Sequence, residues 1–127
     1  MRALLDTQIF IILAQQGVEG LSSRARKLIE DEDNDLLVSA VSIVEIATKT
    51  SVNKLAIHAG DAARAIDDLR LIMIPFELRY AMRMFNLPLH HRDPFDRMLI
   101  ATALCEDIPI ISQDRDFKNY RGLKIIS

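Results

Sequence analysis

Short aliphatic blocks recur along the chain, separated by segments with helical periodicity. RALLD (2–6), LLVSA (36–40), LIMIP (71–75) and IPIIS (108–112) are too short for helices and are bounded by polar residues or proline. Blocks of this kind predict strands buried on both faces of a sheet, and LKIIS (123–127) predicts a fifth. SSRARKLIEDE (22–32), SIVEIATKTSVNKL (42–55), DAARAIDDLR (61–70), ELRYAMRMFNL (77–87) and PFDRMLIATALCED (94–107) read as helices. After the first strand, Ile9, Phe10, Ile12 and Leu13 form an apolar helical face suited to packing against the sheet or to self-association. Strand and helix alternate throughout. That order implies one domain, 1–127, with a three-layer α/β/α architecture and a central, mostly parallel sheet of four to five strands.

This architecture gives the acidic residues a common address. Open parallel sheets bind ligands at the carboxyl ends of their strands, and the following helices start at that same edge. Asp6 ends the first strand, and Glu45 lies in the first turn of the helix leaving the second. Asp96 lies in the first turn of the helix preceding the fourth strand, with Asp114 and Asp116 just beyond that strand. Each acid also has a plain structural reading. In RDPFD, Asp93 is an N-cap with Pro94 at the first helical position, and Asp96 sits where a helix start favours negative charge. SIVE (42–45) fits a capping box with Ser42 as N-cap; Asp6 is a cap and Asp114 a turn former. Joint placement favours another role. Carboxylates gathered at one edge repel and raise one another's pKa unless cations are present, and hard oxygen ligands suit Mg²⁺ or Mn²⁺.

Composition narrows the class. Half of the 127 residues are hydrophobic and 27% are charged, ordinary for a globular domain. The formal net charge of −2 provides no overall basic field for nucleic acid, so an anionic substrate would need local basic residues or bound cations. The single cysteine, Cys105, excludes an internal disulfide, favours a reducing compartment and reads as a buried structural thiol. The IFIILA run is too short to span a membrane and follows Asp6, so the expectation is a cytoplasmic protein without a signal peptide.

LLDT at the N-terminus, SAVSIVEIATK, LPLHHRDPFDRMLIATAL and IISQDRDFKNY resemble, in order and spacing, the PIN-domain ribonucleases, especially the VapC-type toxins of toxin–antitoxin pairs. The resemblance spans the chain. It implies a metal-dependent endoribonuclease in which Asp6, Glu45, Asp96 and Asp114 form the catalytic, metal-binding set, with Mg²⁺ as cofactor and Mn²⁺ as a substitute. Asp93, Asp116 and Ser112 are supporting residues, and Asp116 is the alternative fourth acid. The implied products carry a 5′-phosphate and a 3′-hydroxyl. Arg92, Arg97, Arg115 and Lys118 flank the acids and are candidate RNA contacts. Adjacent histidines seldom face one centre, so His90 and His91 read as surface or packing residues; His58 adds nothing. The implied partners are RNA, a VapB-type antitoxin and a second copy in a homodimer, with no membrane. Rival readings are a Mg²⁺-dependent phosphoacceptor signalling domain and a catalytically degenerate interaction module. Against the first, Asp6 has no acidic neighbour and Gln113, not lysine, follows Ser112.

Overall fold

A computed structural model describes residues 1–127. Five strands form one sheet: β1 (Arg2–Leu5), β2 (Asp35–Ser39), β3 (Ile72–Ile74), β4 (Ile110–Ile111) and β5 (Ile125–Ile126), in the order β3-β2-β1-β4-β5. Every pairing is parallel, with Leu4 opposite both Leu37 and Ile110. Six helices surround it: α1 (Thr7–Gln16), α2 (Ser23–Glu30), α3 (Ala40–Ser51), α4 (Ala59–Asp68), α5 (Leu78–Arg83) and α6 (Pro94–Glu106). None is long and apolar enough to cross a membrane.

The two-residue period of the strands divides the core. Ala3, Leu5, Leu36, Val38 and Ile111 point to one face, where they meet Ile9, Phe10 and Leu13 of α1 and Ala62 and Ala65 of α4. Leu4, Leu37 and Ile110 point to the other, against Tyr80 of α5 and Leu99, Ile100 and Ala103 of α6. Because β1 is buried on both faces, removing Leu4 or Leu5 would leave a cavity in one of the two layers, at about 2–5 kcal/mol for Leu→Ala.

The helical segment expected over 77–87 stops being α-helical at Arg83 and continues as a 3-10 turn over Met84–Asn86. The capping assignment of SIVE is corrected. α3 begins at Ala40, and its N-cap is Ser39, whose hydroxyl accepts from the Val41 amide at 3.0 Å. Ser42 instead lies inside the helix, buried, 2.9 Å from the Thr7 hydroxyl of α1. Capping at Ser39 starts the helix directly at the end of β2, and the Thr7–Ser42 pair ties it to α1. Cys105 is half-buried rather than buried, with Sγ 3.7 Å from the Arg79 carbonyl oxygen.

Candidate metal centre

β1 and β4 are neighbours although the chain visits β2 and β3 between them, so the sheet's direction of winding reverses between these strands. A crevice opens beyond the carboxyl ends of strands at such a point. Here it is a cavity of about 340 Å³ lined by Asp6, Glu45, Asp93, Asp96 and Asp114, together with Lys49, Thr7, Gln8, Gln113 and Ile11. The four expected acids thus reach one cleft, with Asp93 beside them. Asp116 is exposed and outside that lining; its amide donates to Asp114 Oδ1 at 2.9 Å.

Three of the aspartates, Asp6, Asp93 and Asp114, are held as helix or turn caps. Asp6 caps α1, accepting from the Ile9 amide at 2.8 Å, and is buried. Asp93 caps α6, accepting from the Phe95 and Asp96 amides at 2.8 and 3.2 Å, which leaves the Asp96 carboxylate at the mouth of the first turn. Asp114 caps the 3-10 turn Arg115–Asn119, and its amide donates to the Ser112 hydroxyl at 3.0 Å. Glu45 is 3% exposed and bonds Lys49 one turn later through Oε2. Capping and gathering are therefore compatible roles.

Burial dominates the electrostatics. Desolvation, reinforced by the charges of Asp114 and Glu45, pushes Asp6 up to about 6 despite hydrogen bonding from Ser112 and Ile9. Desolvation also lifts Asp96 to about 7, with Asp93, Glu45 and Asp6 adding repulsion and His91 opposing it. Lys49 is raised by its bond to Glu45 and by the charges of Asp93 and Asp96. Glu45 Oε1 is buried with no hydrogen-bond partner. An orphaned carboxylate oxygen in a cleft of repelling acids fits a divalent cation: the donors are hard oxygens, and a cation would relieve both the repulsion and the missing contact.

Two ionisable side chains outside the expected set pair with the site's acids. Lys49 was readable, because a lysine four residues after Glu45 shares its helix face. His91 was not: it is no surface residue, its side chain being 11% exposed, and its Nε2 lies 2.9 Å from Asp114 Oδ2 and 3.1 Å from Asp96 Oδ2. Ligand atoms of His91, Asp96 and Asp114 all fall within 4.8 Å of one another. Burial lowers the pKa of His91, but its hydrogen bond to Asp114 and the charges of Asp96 and Asp114 outweigh this and raise it. His90 remains exposed, its ring edge-on to Tyr120. Arg97, an expected RNA contact, places its guanidinium on the carbonyls of Pro88 and Leu87, at 2.9 and 3.3 Å. Arg92, Arg115 and Lys118 are exposed and do not line the cleft.

Comparison with known proteins adds an independent line. The family model of the PIN domain matches residues 3–123. Similar solved structures include VapBC2 from Rickettsia felis bound to a DNA fragment from the promoter, with 16% identity, a TM-score of 0.75 and coverage of 99% of this chain and 98% of that one. DNA-bound VapBC from Salmonella typhimurium follows at 14% identity and a TM-score of 0.73, covering 99% and 97%. VapBC-5 from Mycobacterium tuberculosis, at 20% identity and a TM-score of 0.59, covers 98% and 97%. At these identities the likeness establishes a shared fold. No curated protein matches the sequence significantly.

Proposed function

Because the chain belongs to the PIN-domain family, we propose that it is a metal-dependent endoribonuclease and the toxin of a type II toxin–antitoxin pair. The observation that carries this reading is the convergence of Asp6, Glu45, Asp96 and Asp114 on one cleft, with a carboxylate oxygen of Glu45 buried and unpartnered. Asp6, Asp96 and Asp114 would hold Mg²⁺ or Mn²⁺, with Glu45 completing the set directly or through water. The cation supplies a Lewis acid for the phosphodiester and a water of lowered pKa. The chain's own groups do the rest. Asp93 fixes the first turn of α6 and so aims Asp96. Lys49 is the basic side chain within the cleft itself and can meet an incoming phosphate. Arg92, Arg115 and Lys118, exposed beside the acids, would guide the RNA backbone. Hydrolysis would leave a 5′-phosphate and a 3′-hydroxyl.

The proposed partners are a VapB-type antitoxin and a second copy of the chain. The similar solved structures are VapBC complexes, which supports the first. Leu78, Met82, Phe85 and Leu89 are large apolar side chains, each more than half exposed, and offer a surface for association. The direct test is incubation of the purified chain with loop-containing RNA. Cleavage is expected with Mg²⁺ or Mn²⁺ and should stop on addition of EDTA. Cutting that persists in EDTA, or intact RNA in every cation, contradicts the assignment. Growth arrest on expression, relieved by the product of the adjacent gene, checks the toxin role separately.

A further inference from the structure

His91 joins acids from two different elements without being an acid itself. Asp96 belongs to α6, whereas Asp114 follows β4, and nothing in the backbone links the two carboxylates. The imidazole lies between them, its Nε2 hydrogen-bonded to Asp114 Oδ2 at 2.9 Å and 3.1 Å from Asp96 Oδ2. The ring and its backbone are held at three points. Its Nδ1 accepts from the Asp93 amide at 3.1 Å, the His91 amide donates to the Tyr120 hydroxyl at 2.9 Å, and the ring packs edge-on to Phe117 at 5.5 Å between centroids.

The Asp93 contact settles which nitrogen carries the proton. A main-chain N–H can only donate, so Nδ1 presents its lone pair and the neutral ring has its hydrogen on Nε2, facing the two carboxylates. Ligation through Nε2 would require moving that hydrogen to Nδ1, where it would meet the Asp93 N–H head-on. The grouping of His91, Asp96 and Asp114 looks like a histidine–carboxylate metal site, yet its hydrogen-bond directions oppose that use of the ring. We propose that His91 is a positioning residue: its Nε2–H holds the Asp114 carboxylate beside that of Asp96, so that two acids from separate elements present oxygens to one cation, and it does not ligate the cation itself. This rests on the reading of the cleft as a cation site. Partners that orient ligating groups typically contribute 10–100-fold to metal affinity.

Two variants and one spectrum test it. His91→Phe keeps a ring against Phe117 and removes both nitrogens, whereas His91→Gln can place an amide N–H near the position of Nε2. In calorimetric titrations of the RNA-free protein with Mn²⁺ at pH 7.5, with thermal melts confirming the fold, His91→Phe should bind about 10–100-fold more weakly. His91→Gln should recover part of that loss. Nitrogen-15 correlation spectra of the histidine rings should show the His91 proton on Nε2 both before and after loading the wild-type chain with Mg²⁺. Affinity of folded His91→Phe within threefold of wild type, or transfer of the ring proton to Nδ1 on loading, overturns the positioning role while leaving the nuclease reading intact. A wild-type chain that binds neither Mn²⁺ nor Mg²⁺ overturns both.

Discussion

Two acidic clefts lie at different places around this sheet. One, of about 340 Å³, is lined by Asp6, Glu45, Asp93, Asp96 and Asp114. The other, of about 290 Å³, is lined by Glu30, Asp31, Glu32 and Asp68 with Arg70 and Asn34, where α2 leads into β2 and α4 into β3. In carboxylate number and size they are close; in solvation they are opposites. Glu30, Asp31, Glu32 and Asp68 are all exposed, and Glu30 pairs with Arg26 across one helical turn. Asp6 and Glu45 are buried, and desolvation raises the carboxyls of Asp6 and Asp96 to about 6 and about 7. A solvated acidic face is stable as it stands. A desolvated one stores repulsion that a cation relieves, and only the strand carboxyl-end cleft is built that way.

The largest effect should separate the two clefts by catalysis. Asp96→Asn retains shape while removing charge, and should lower RNA cleavage by about 10³-fold, the rate equivalent of about 4 kcal/mol. Glu30→Gln and Asp68→Asn should stay within about twofold of wild type, as exposed substitutions of small energetic effect do. Equal losses at both clefts in a gel assay of labelled RNA would erase the distinction.

A second effect sharpens it through pH. The folded-state pKa values of Asp6 and Asp96, about 6 and about 7, lie above the ordinary 3.8, so the folded protein binds more protons than the unfolded chain between these limits. Stability without metal should therefore fall as pH rises from about 4 to 7, by a few kcal/mol, because solvent screens the partly exposed Asp96. Urea titrations across that range should show the fall, its reduction in Asp96→Asn, and its reversal by Mg²⁺ at pH 7.5. A flat profile would mean the acids are not desolvated. The smallest effect concerns the cap. Asp93→Ala should lower stability by about 0.5–2 kcal/mol, while Asp93→Asn, which still caps, should remain near wild type in urea melts. Cleavage lost equally in Asp93→Asn and Asp96→Asn would add Asp93 to the metal ligands.

The fold was legible because the inner strands of a doubly covered sheet are continuous apolar runs. The edge strands depart from that expectation, β3 leaving Ile72 and Met73 exposed and β5 only half-buried. Boundaries were less so. Ser39 and Ser42 are both serines near the start of α3, and the cap went to Ser39 because β2 ends there. Asp6, Asp96 and Asp114 were legible from strand and helix ends, and Lys49 from its place one turn after Glu45. Glu45 itself lies in the second turn of α3 rather than the first, and its burial depends on how α3 packs against α1 and α6. His91 was hidden for a stronger reason. Its orientation comes from Tyr120 and Phe117, roughly 26–29 positions away in the chain and brought close only by the sheet. Arg97 illustrates the converse: a basic residue beside a catalytic motif serves the loop before it, which no linear pattern distinguishes from an RNA contact.

Desolvation, not acidity, marks the working cleft, and uptake of Mn²⁺ followed by electron paramagnetic resonance discriminates between the two. At pH 7.5 the wild-type chain and a Glu30→Gln/Asp68→Asn double variant should take up the ion alike, whereas Asp96→Asn should bind at least tenfold more weakly, as loss of a charged ligand requires. Uptake that survives in Asp96→Asn but disappears in the double variant would place the cation at the exposed acids and contradict the account.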